Sequence, residues 1–238
     1  MSNDVDTVRG ILRQARSIAV LTGAGVSAES GVPTFRDPDG LWAKFSPQEL
    51  ASMEGFLANP ERVREWYAHR RSIATSVEPN AGHYALAELE RTHEGTFTLI
   101  TQNVDRLHQR AGSRNVLEVH GNLIENRCND CGHIRTDDRL DCVECLGPMR
   151  PNVVWFGEEL PQDVFAAAEQ AARGCDIMFV IGTSAEVWPA AGLAYTAKQY
   201  GATIVEVNPN PTVFSREAHH VLVGTSASVL PQLIGVAS

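Results

Sequence analysis

Short apolar strands alternate with helical segments along this 238-residue chain, which predicts an α/β fold: a parallel sheet with helices on both faces. Small or polar residues stand at the carboxyl end of each strand, the place where such Rossmann-like sheets hold their ligands. Four of the five cysteines fall between Cys128 and Cys145, which predicts a small inserted lobe organised by a metal rather than by a core. All of residues 1–238 read as one domain, with the sheet-bearing core at about 1–45, 80–125 and 150–238. The small lobe is expected from a helical insertion at about 46–79 and a zinc knuckle at about 126–149.

Val5, Val8, Ile11, Leu12 and Ala15 recur at helical spacing and predict an amphipathic first helix, ending before a strand that begins at Ile18. That strand feeds Gly23, Gly25 and Ala28, a G-x-G-x-x-A turn, but Gly31 and Pro33 stop the helix such a turn would open. Residues 45–74 are rich in helix formers, with breaks at Pro47 and at Asn59-Pro60, where Asn59 is placed to cap and Pro60 to fill the first turn. A short helix is expected over His83–Arg91, then strands over Thr96–Asn103 and Asn115–Asn122. The cysteine segment lacks apolar periodicity, and strand character resumes in PNVVWFGEEL. There follow a helix over Pro161–Arg173, the strand IMFVIGTS, a helix over Pro189–Tyr200 and the strand TIVEVNPN. A last strand at His220–Gly224 and a short helix over Ser228–Ile234 close the chain.

Lys and Arg number 20 against 29 Asp and Glu, a net charge of −9 that excludes a general nucleic-acid binder and suits a basic partner such as a lysine-rich peptide. No stretch reaches the roughly 18 apolar residues that span a bilayer, so no membrane association is expected. Residues 1–14 carry no apolar signal core, and the expected location is the cytoplasm. In that reducing compartment crowded thiols read as metal ligands. The chain is expected to act as a monomer.

The chemistry gathers at the strand ends. Gly23 and Gly25 let a backbone turn approach a pyrophosphate, and the small residues between Thr22 and Ser30 leave room for one; a tight turn with no ligand is the plainer alternative. Thr34, Phe35, Arg36 and Asp37 offer an aromatic face and a guanidinium suited to phosphate or ribose. A dehydrogenase would place an acidic ribose ligand about 20 residues on, at the end of the next strand. Loop and helix stand there instead, so the expectation is NAD without simple redox chemistry. Gln102, Asn103, Asp105 and His120 end neighbouring strands. His120 has Gly121-Asn122 directly after it and stands out as a base usable near neutral pH. By contrast His83, His108, His133 and the His219-His220 pair read as packed or capped imidazoles.

Cys128-x2-Cys131 and Cys142-x2-Cys145 form two thiolate pairs fit for a closed, structural zinc, with paired disulfides as the alternative. Cys175 reads as core. Tyr67 and Arg70 share one helix face, where a phenol and a guanidinium can bind a carboxylate. A solvated basic face, with Arg62, Arg64 and Arg71, is the alternative there.

The ordered blocks GAGVSAESGVPTFRD, TQNVDRLHQRAG, EVHGN, the four paired cysteines, RPNVVWFGE, GTSAEVWPAAGL and EVNP make the chain resemble the sirtuins, the NAD-dependent protein lysine deacylases, over nearly its whole length. The resemblance implies that NAD binds extended and that the acyl oxygen of a modified lysine displaces nicotinamide, giving 2'-O-acyl-ADP-ribose. It makes His120 the proton acceptor that activates a ribose hydroxyl, Asn103 and Asp105 the holders of the nicotinamide ribose and carboxamide, and Phe35 the shield against water. Other implied NAD contacts are Gly23, Ala24, Gly25, Ser27, Ala28 and Glu29, then Thr34, Arg36, Asp37, Trp42, Gln102 and Val104. Gly182, Thr183, Ser184, Asn208, Pro209, Asn210 and Ala227 match contacts to the phosphates and the adenosine half.

An acyl-lysine peptide is expected to insert as a strand against Val154, Phe156, Gly157, Glu158 and Val187. Tyr67 and Arg70 match the class III subgroup that removes succinyl and malonyl chains, and Ala51 falls where that subgroup widens its pocket; acetyl groups are still expected to be accepted. An NAD glycohydrolase or an ADP-ribosyltransferase using the same pocket is the rival enzyme, and a non-catalytic binding module the other.

Overall fold

β1 (Ser17–Thr22) lies near the middle of a six-stranded sheet together with β2 (Thr96–Thr101), β3 (Val116–Glu118), β7 (Ile177–Ile181), β8 (Thr203–Asn208) and β9 (His220–Val223). The structure, a computed structural model, describes residues 2–35, 41 and 46–235. Strand order is β3-β2-β1-β7-β8-β9 and every pairing is parallel, as the alternation of strands and helices requires. Along β1, Ile18 and Val20 enter one apolar layer and Ala19 and Leu21 the other. The first layer packs on α1 (Ser2–Gln14) and on the helices Ala81–Thr92 and Ser226–Ile234; the second packs on Gln162–Gly174 and Gly192–Gln199.

Because β2 and β3 lie to one side of β1 and β8 and β9 beyond β7, the loops leaving β1 and β7 diverge and open a crevice at their carboxyl ends. The two loops touch at its floor. The Gly23 N–H donates to the Ile181 carbonyl at 3.0 Å and the Gly25 N–H to the Gly182 carbonyl at 2.8 Å. A Cβ on Gly25 would lie 2.8 Å from that same oxygen, so part of the need for glycine here comes from the neighbouring loop. After Gly23 the chain makes two single 3₁₀ turns, Ala24–Val26 and Ala28–Ser30, and Gly31 ends them at φ 95°. The helix that a dinucleotide turn normally opens is absent, as the sequence predicts.

A second, three-stranded antiparallel sheet holds β4 (Gly121–Cys128) between β5 (Ile134–Arg135) and β6 (Met149–Val153). Two strand expectations are corrected by it. Asn115–Asn122 is not one strand: β3 stops at Glu118, and the chain turns through Gly121 at φ 75° into the other sheet. Within PNVVWFGEEL, strand continues only to Val153 and pairs antiparallel with β4. The insertion forms the short helices Pro47–Leu50 and Met53–Ala58 and the long helix Pro60–Ser76, whose Asn59 side chain accepts from the Arg62 N–H as the cap; Phe45 lies outside the described residues. This lobe has an apolar core of its own, with Phe56, Val63, Trp66, Leu123 and Trp155. The expected helix from Pro189 begins at Gly192, and the closing helix begins at Ser226, where the Thr225 side chain caps it. Among the described residues no helix is long and apolar enough to cross a membrane.

Candidate active site

The strand ends of the large sheet and one side of the small lobe enclose a cavity of about 690 Å³, a size ordinary for a small-molecule site. The turns after β1 contribute Gly23, Ala24, Gly25, Ala28, Glu29, Thr34 and Phe35. The β2 end contributes Gln102, Asn103 and Val104, and His120 stands beside them. Gly182, Thr183, Ser184 and Val187 follow β7, and Asn208, Pro209 and Asn210 close the far side. The small lobe adds Ala51, Tyr67, Arg70, Val154, Phe156, Gly157 and Glu158. Residues predicted from separate stretches of sequence thus share one wall. Ser27, Asp105 and Ala227 do not reach it; Arg36, Asp37 and Trp42 lie outside the described residues.

The His120 ring is half-buried, and its Nδ1 lies 3.1 Å from the Gln102 carbonyl. A carbonyl only accepts, so Nδ1 carries the hydrogen and Nε2 is left with a free lone pair. Burial pulls the imidazole below its ordinary value, partly opposed by that bond, so the ring is neutral at pH 7. These are the requirements of a general base.

Behind the wall runs a buried relay. The Asn80 N–H donates to His83 Nδ1 at 3.2 Å, which leaves Nε2 to donate to Ser27 Oγ at 3.3 Å; Ser27 Oγ donates in turn to Asp105 Oδ2 at 2.8 Å. Asn103 Nδ2 donates to the Gly23 carbonyl at 3.0 Å and to Ser27 Oγ at 3.2 Å. Burial raises the Asp105 carboxyl above the usual range, against the opposing bonds from the Leu107 N–H and Ser27. Burial also pushes His83 down to about 4. Asp105 and Ser27 therefore fix the backing of the site, with Asn103 as the member that reaches the cavity.

At the small-lobe end, Tyr67 is buried and its hydroxyl accepts from Trp155 Nε1 at 2.9 Å. The Arg70 guanidinium lies over the rings of Phe35, Trp66 and Tyr67, at 5.0, 4.8 and 5.4 Å from their centroids. Burial lowers its pKa, and no carboxylate among the described residues stands within ion-pair distance of it. Its neighbours are committed elsewhere: Arg64 donates to the Met149 carbonyl, Arg71 to the Leu123 carbonyl and Asn126, and Arg62 pairs with Glu49. Arg70, half-buried and hydrogen-bonded to Tyr67, is the cation of this helix that lines the cavity.

The four cysteine sulfurs lie within 4.8 Å of one another, with Cys128 to Cys145 at 3.4 Å and Cys131 to Cys142 at 3.6 Å. Thiolates about 2.3 Å from a tetrahedral zinc stand roughly 3.8 Å apart, so the set fits one structural ion. All four are free thiols, which removes the disulfide alternative. The apolar cluster around them is only Cys128, Cys142 and Met149, too little to hold the module without a metal. Cys175 is buried against the second apolar layer, as predicted.

Several wall residues escape sequence reasoning. Trp155 gives no local signal, since its partner Tyr67 is 88 residues away. Thr225 and Ser226 stand before an apolar run and could have been found as a helix start. Thr212 is reached only through the folding of the loop after Asn210, where its hydroxyl donates to the buried Glu206.

An NAD-dependent protein deacylase of Aquifex aeolicus (strain VF5) is 48% identical over 209 residues, covering 85% of this chain and 87% of its own. A solved Sir2 homologue–NAD complex superposes with a TM-score of 0.90 at 43% identity, covering 97% of this chain and 92% of that one. A solved complex of Sir2 with a p53 peptide and NAD⁺ gives a TM-score of 0.87 at 33% identity, covering 97% of each chain. Residues 23–189 match the Sir2 family, and with this agreement of sequence, fold and cavity the chain belongs to it.

Proposed function

We propose that the chain is an NAD-dependent protein lysine deacylase that removes succinyl and malonyl groups in preference to acetyl. The observation that carries the reaction is His120, a neutral imidazole on the cavity wall beside the glycine turns and polar strand ends. Small side chains and close backbone at Gly23, Ala24, Gly25 and Thr183 suit a dinucleotide at the switch point. NAD bound there supplies an electrophilic sugar carbon, nicotinamide as its leaving group and a ribose hydroxyl that finally accepts the acyl group. Asn103 is placed to hold the ribose, backed by Ser27 and Asp105. Phe35 covers the side facing Arg70 and keeps water out. His120 Nε2 takes the hydroxyl proton. The products are free lysine, nicotinamide and 2'-O-acyl-ADP-ribose, with one water consumed.

Support for an acidic acyl chain comes from Arg70, a half-buried cation on the cavity wall with no carboxylate within ion-pair distance among the described residues, and from the Tyr67 hydroxyl, which accepts from Trp155 and keeps its own proton to donate. Ala51 lies on the same wall and leaves width. We assign the peptide the groove between residues 153–157 and 184–188 on the cavity wall; a Sir2 relative has been solved with a p53 peptide.

Mass spectrometry of the products from NAD with acetyl-lysine and succinyl-lysine peptides tests both parts. Acyl-ADP-ribose from both, formed faster from the succinyl peptide, is expected. Nicotinamide release without any peptide would instead favour a glycohydrolase. Arg70→Met should lower kcat/KM for the succinyl peptide roughly tenfold to over a hundredfold, the loss of about 1.5–3 kcal/mol of charge-assisted bonding, with the acetyl rate little changed. An unaltered preference would remove the role given to Arg70.

A further inference from the structure

His120 sits at the joint between the two sheets. β3 of the large sheet ends at Glu118, two residues before it, and β4 of the small sheet begins at Gly121, directly after it. The Val119 N–H donates to the Thr101 carbonyl at 3.1 Å and the Val154 N–H to the His120 carbonyl at 2.9 Å, so the strap touches both sheets. Around it lies a polar cluster outside the cavity. Arg106 Nη2 lies 3.3 Å from Glu118 Oε2 and 2.7 Å from Glu125 Oε1. Its Nε reaches Glu118 Oε1, also at 3.3 Å. Asn122 Nδ2 donates to the same two carboxylates at 3.1 Å each, Gln109 Nε2 to Glu118 at 2.9 Å and Asn152 Nδ2 to Glu125 at 2.9 Å.

Glu118 belongs to β3, Glu125 to β4 and Asn152 to β6, so the guanidinium ties the end of the large sheet to β4, and Asn152 extends the cluster to β6 through Glu125. Arg106 does this from a left-handed backbone at φ 60°, a conformation an arginine adopts only where its surroundings hold it there. At Gly121, at φ 75°, a Cβ would collide with the Asn152 carbonyl, so the strap has no slack of its own. Burial opposes the charge on Glu125, but bonds from Asn122, Asn152 and Arg106 outweigh it and hold the carboxyl below its usual range. Glu125 is therefore charged at pH 7 and faces the Arg106 guanidinium as a carboxylate.

We propose that Arg106, clamped between Glu118 and Glu125, is a positioning residue that holds the joint between the sheets so that His120 is aimed into the cavity. The role rests on the reading of His120 as the base. It touches neither nucleotide nor acyl chain, so its loss should affect the proton-transfer step and leave binding alone. A displacement on the order of 1 Å at such a base costs roughly a hundredfold.

The test compares Arg106→Met, Arg106→Lys and Glu125→Gln with the parent, and His120→Ala serves as the control. Arg106→Met should keep the KM values for NAD and peptide and the exchange of labelled nicotinamide, while kcat for acyl-ADP-ribose formation falls at least roughly tenfold. Arg106→Lys, which keeps the charge without the fork, should fall between. In the free protein, NMR titration of His120 should move up toward the ordinary imidazole value in Arg106→Met as the joint loosens. If Arg106→Met does not fold, Glu125→Gln is read in the same way. Unchanged kcat and an unmoved His120 titration in a folded variant overturn the clamp, as does a fall of kcat that exchange and KM share. A His120→Ala variant that deacylates at the parent rate defeats the reading of the base itself. An inactive His120→Ala beside a normal Arg106→Met defeats the clamp alone.

Discussion

With the Nδ1 hydrogen of His120 committed to the Gln102 carbonyl, the proposed base role assigns the acid limb of the rate profile to Nε2. The folded pKa lies below the usual imidazole value because burial disfavours the cation. Activity should therefore rise as pH climbs through a value below about 6.5 and be flat near pH 7; kcat against pH checks this, and a limb above neutrality would contradict it. Trp155→Phe keeps the ring and removes the N–H that Tyr67 accepts. It should cost succinyl turnover about 1 kcal/mol, roughly fivefold, while acetyl turnover, which needs no aimed phenol, stays level. Single residues were legible in unequal measure. Tyr67 and Arg70 declare themselves because helix periodicity is local, whereas the indole that orients Tyr67 is joined to it only by the fold.

The cysteine module is an element with a core of three side chains, so its folding rests on the ion. Replacing Cys131 and Cys145 by serine should abolish a content of one zinc per chain and lower the melting temperature, since metal binding and folding are coupled in such modules. Metal analysis with calorimetry reads both, and full stability without zinc would refute it. The strap around His120 shows why one element was misread. Asn115 to Asn122 alternates like a single strand, and nothing local marks the handover from a parallel to an antiparallel sheet except Gly121. The glycines of the first turn were legible as a point of close backbone approach. Their contact with Gly182 was not, because it depends on β7 lying beside β1. Strand existence could be read from composition; strand neighbours are set by packing.

Across the whole molecule, acid stability should follow the two imidazoles that meet at a tilt behind the cavity with ring centroids 4.8 Å apart, His83 and His108. Burial holds His83 at about 4 and His108 well below the usual value, whereas both approach 6.5 when unfolded. The unfolded chain thus binds more protons below pH 6.5, so stability is full above that value and drains as pH falls toward 4. The slope is at most about 1.4 kcal/mol per pH unit for each ring. Melting temperature against pH measures it, and His83→Asn should flatten the curve. The order of layers was legible because apolar strands and helices alternate, and the cavity because each strand ended in small or polar residues. Its closure by the small lobe came only from tertiary packing.

The long helix carrying Tyr67 and Arg70 is laced to the small sheet through Arg64 and Arg71, while the glycine turns hang from the large one and His120 stands at the joint between them. On the proposed roles of Tyr67 and Arg70, cargo preference and cofactor handling reside on separate pieces of architecture. A 17-residue rod becomes an exchangeable cartridge: natural or laboratory evolution can retune which modification is erased by rewriting that rod, with the engine that spends the cofactor left as it stands.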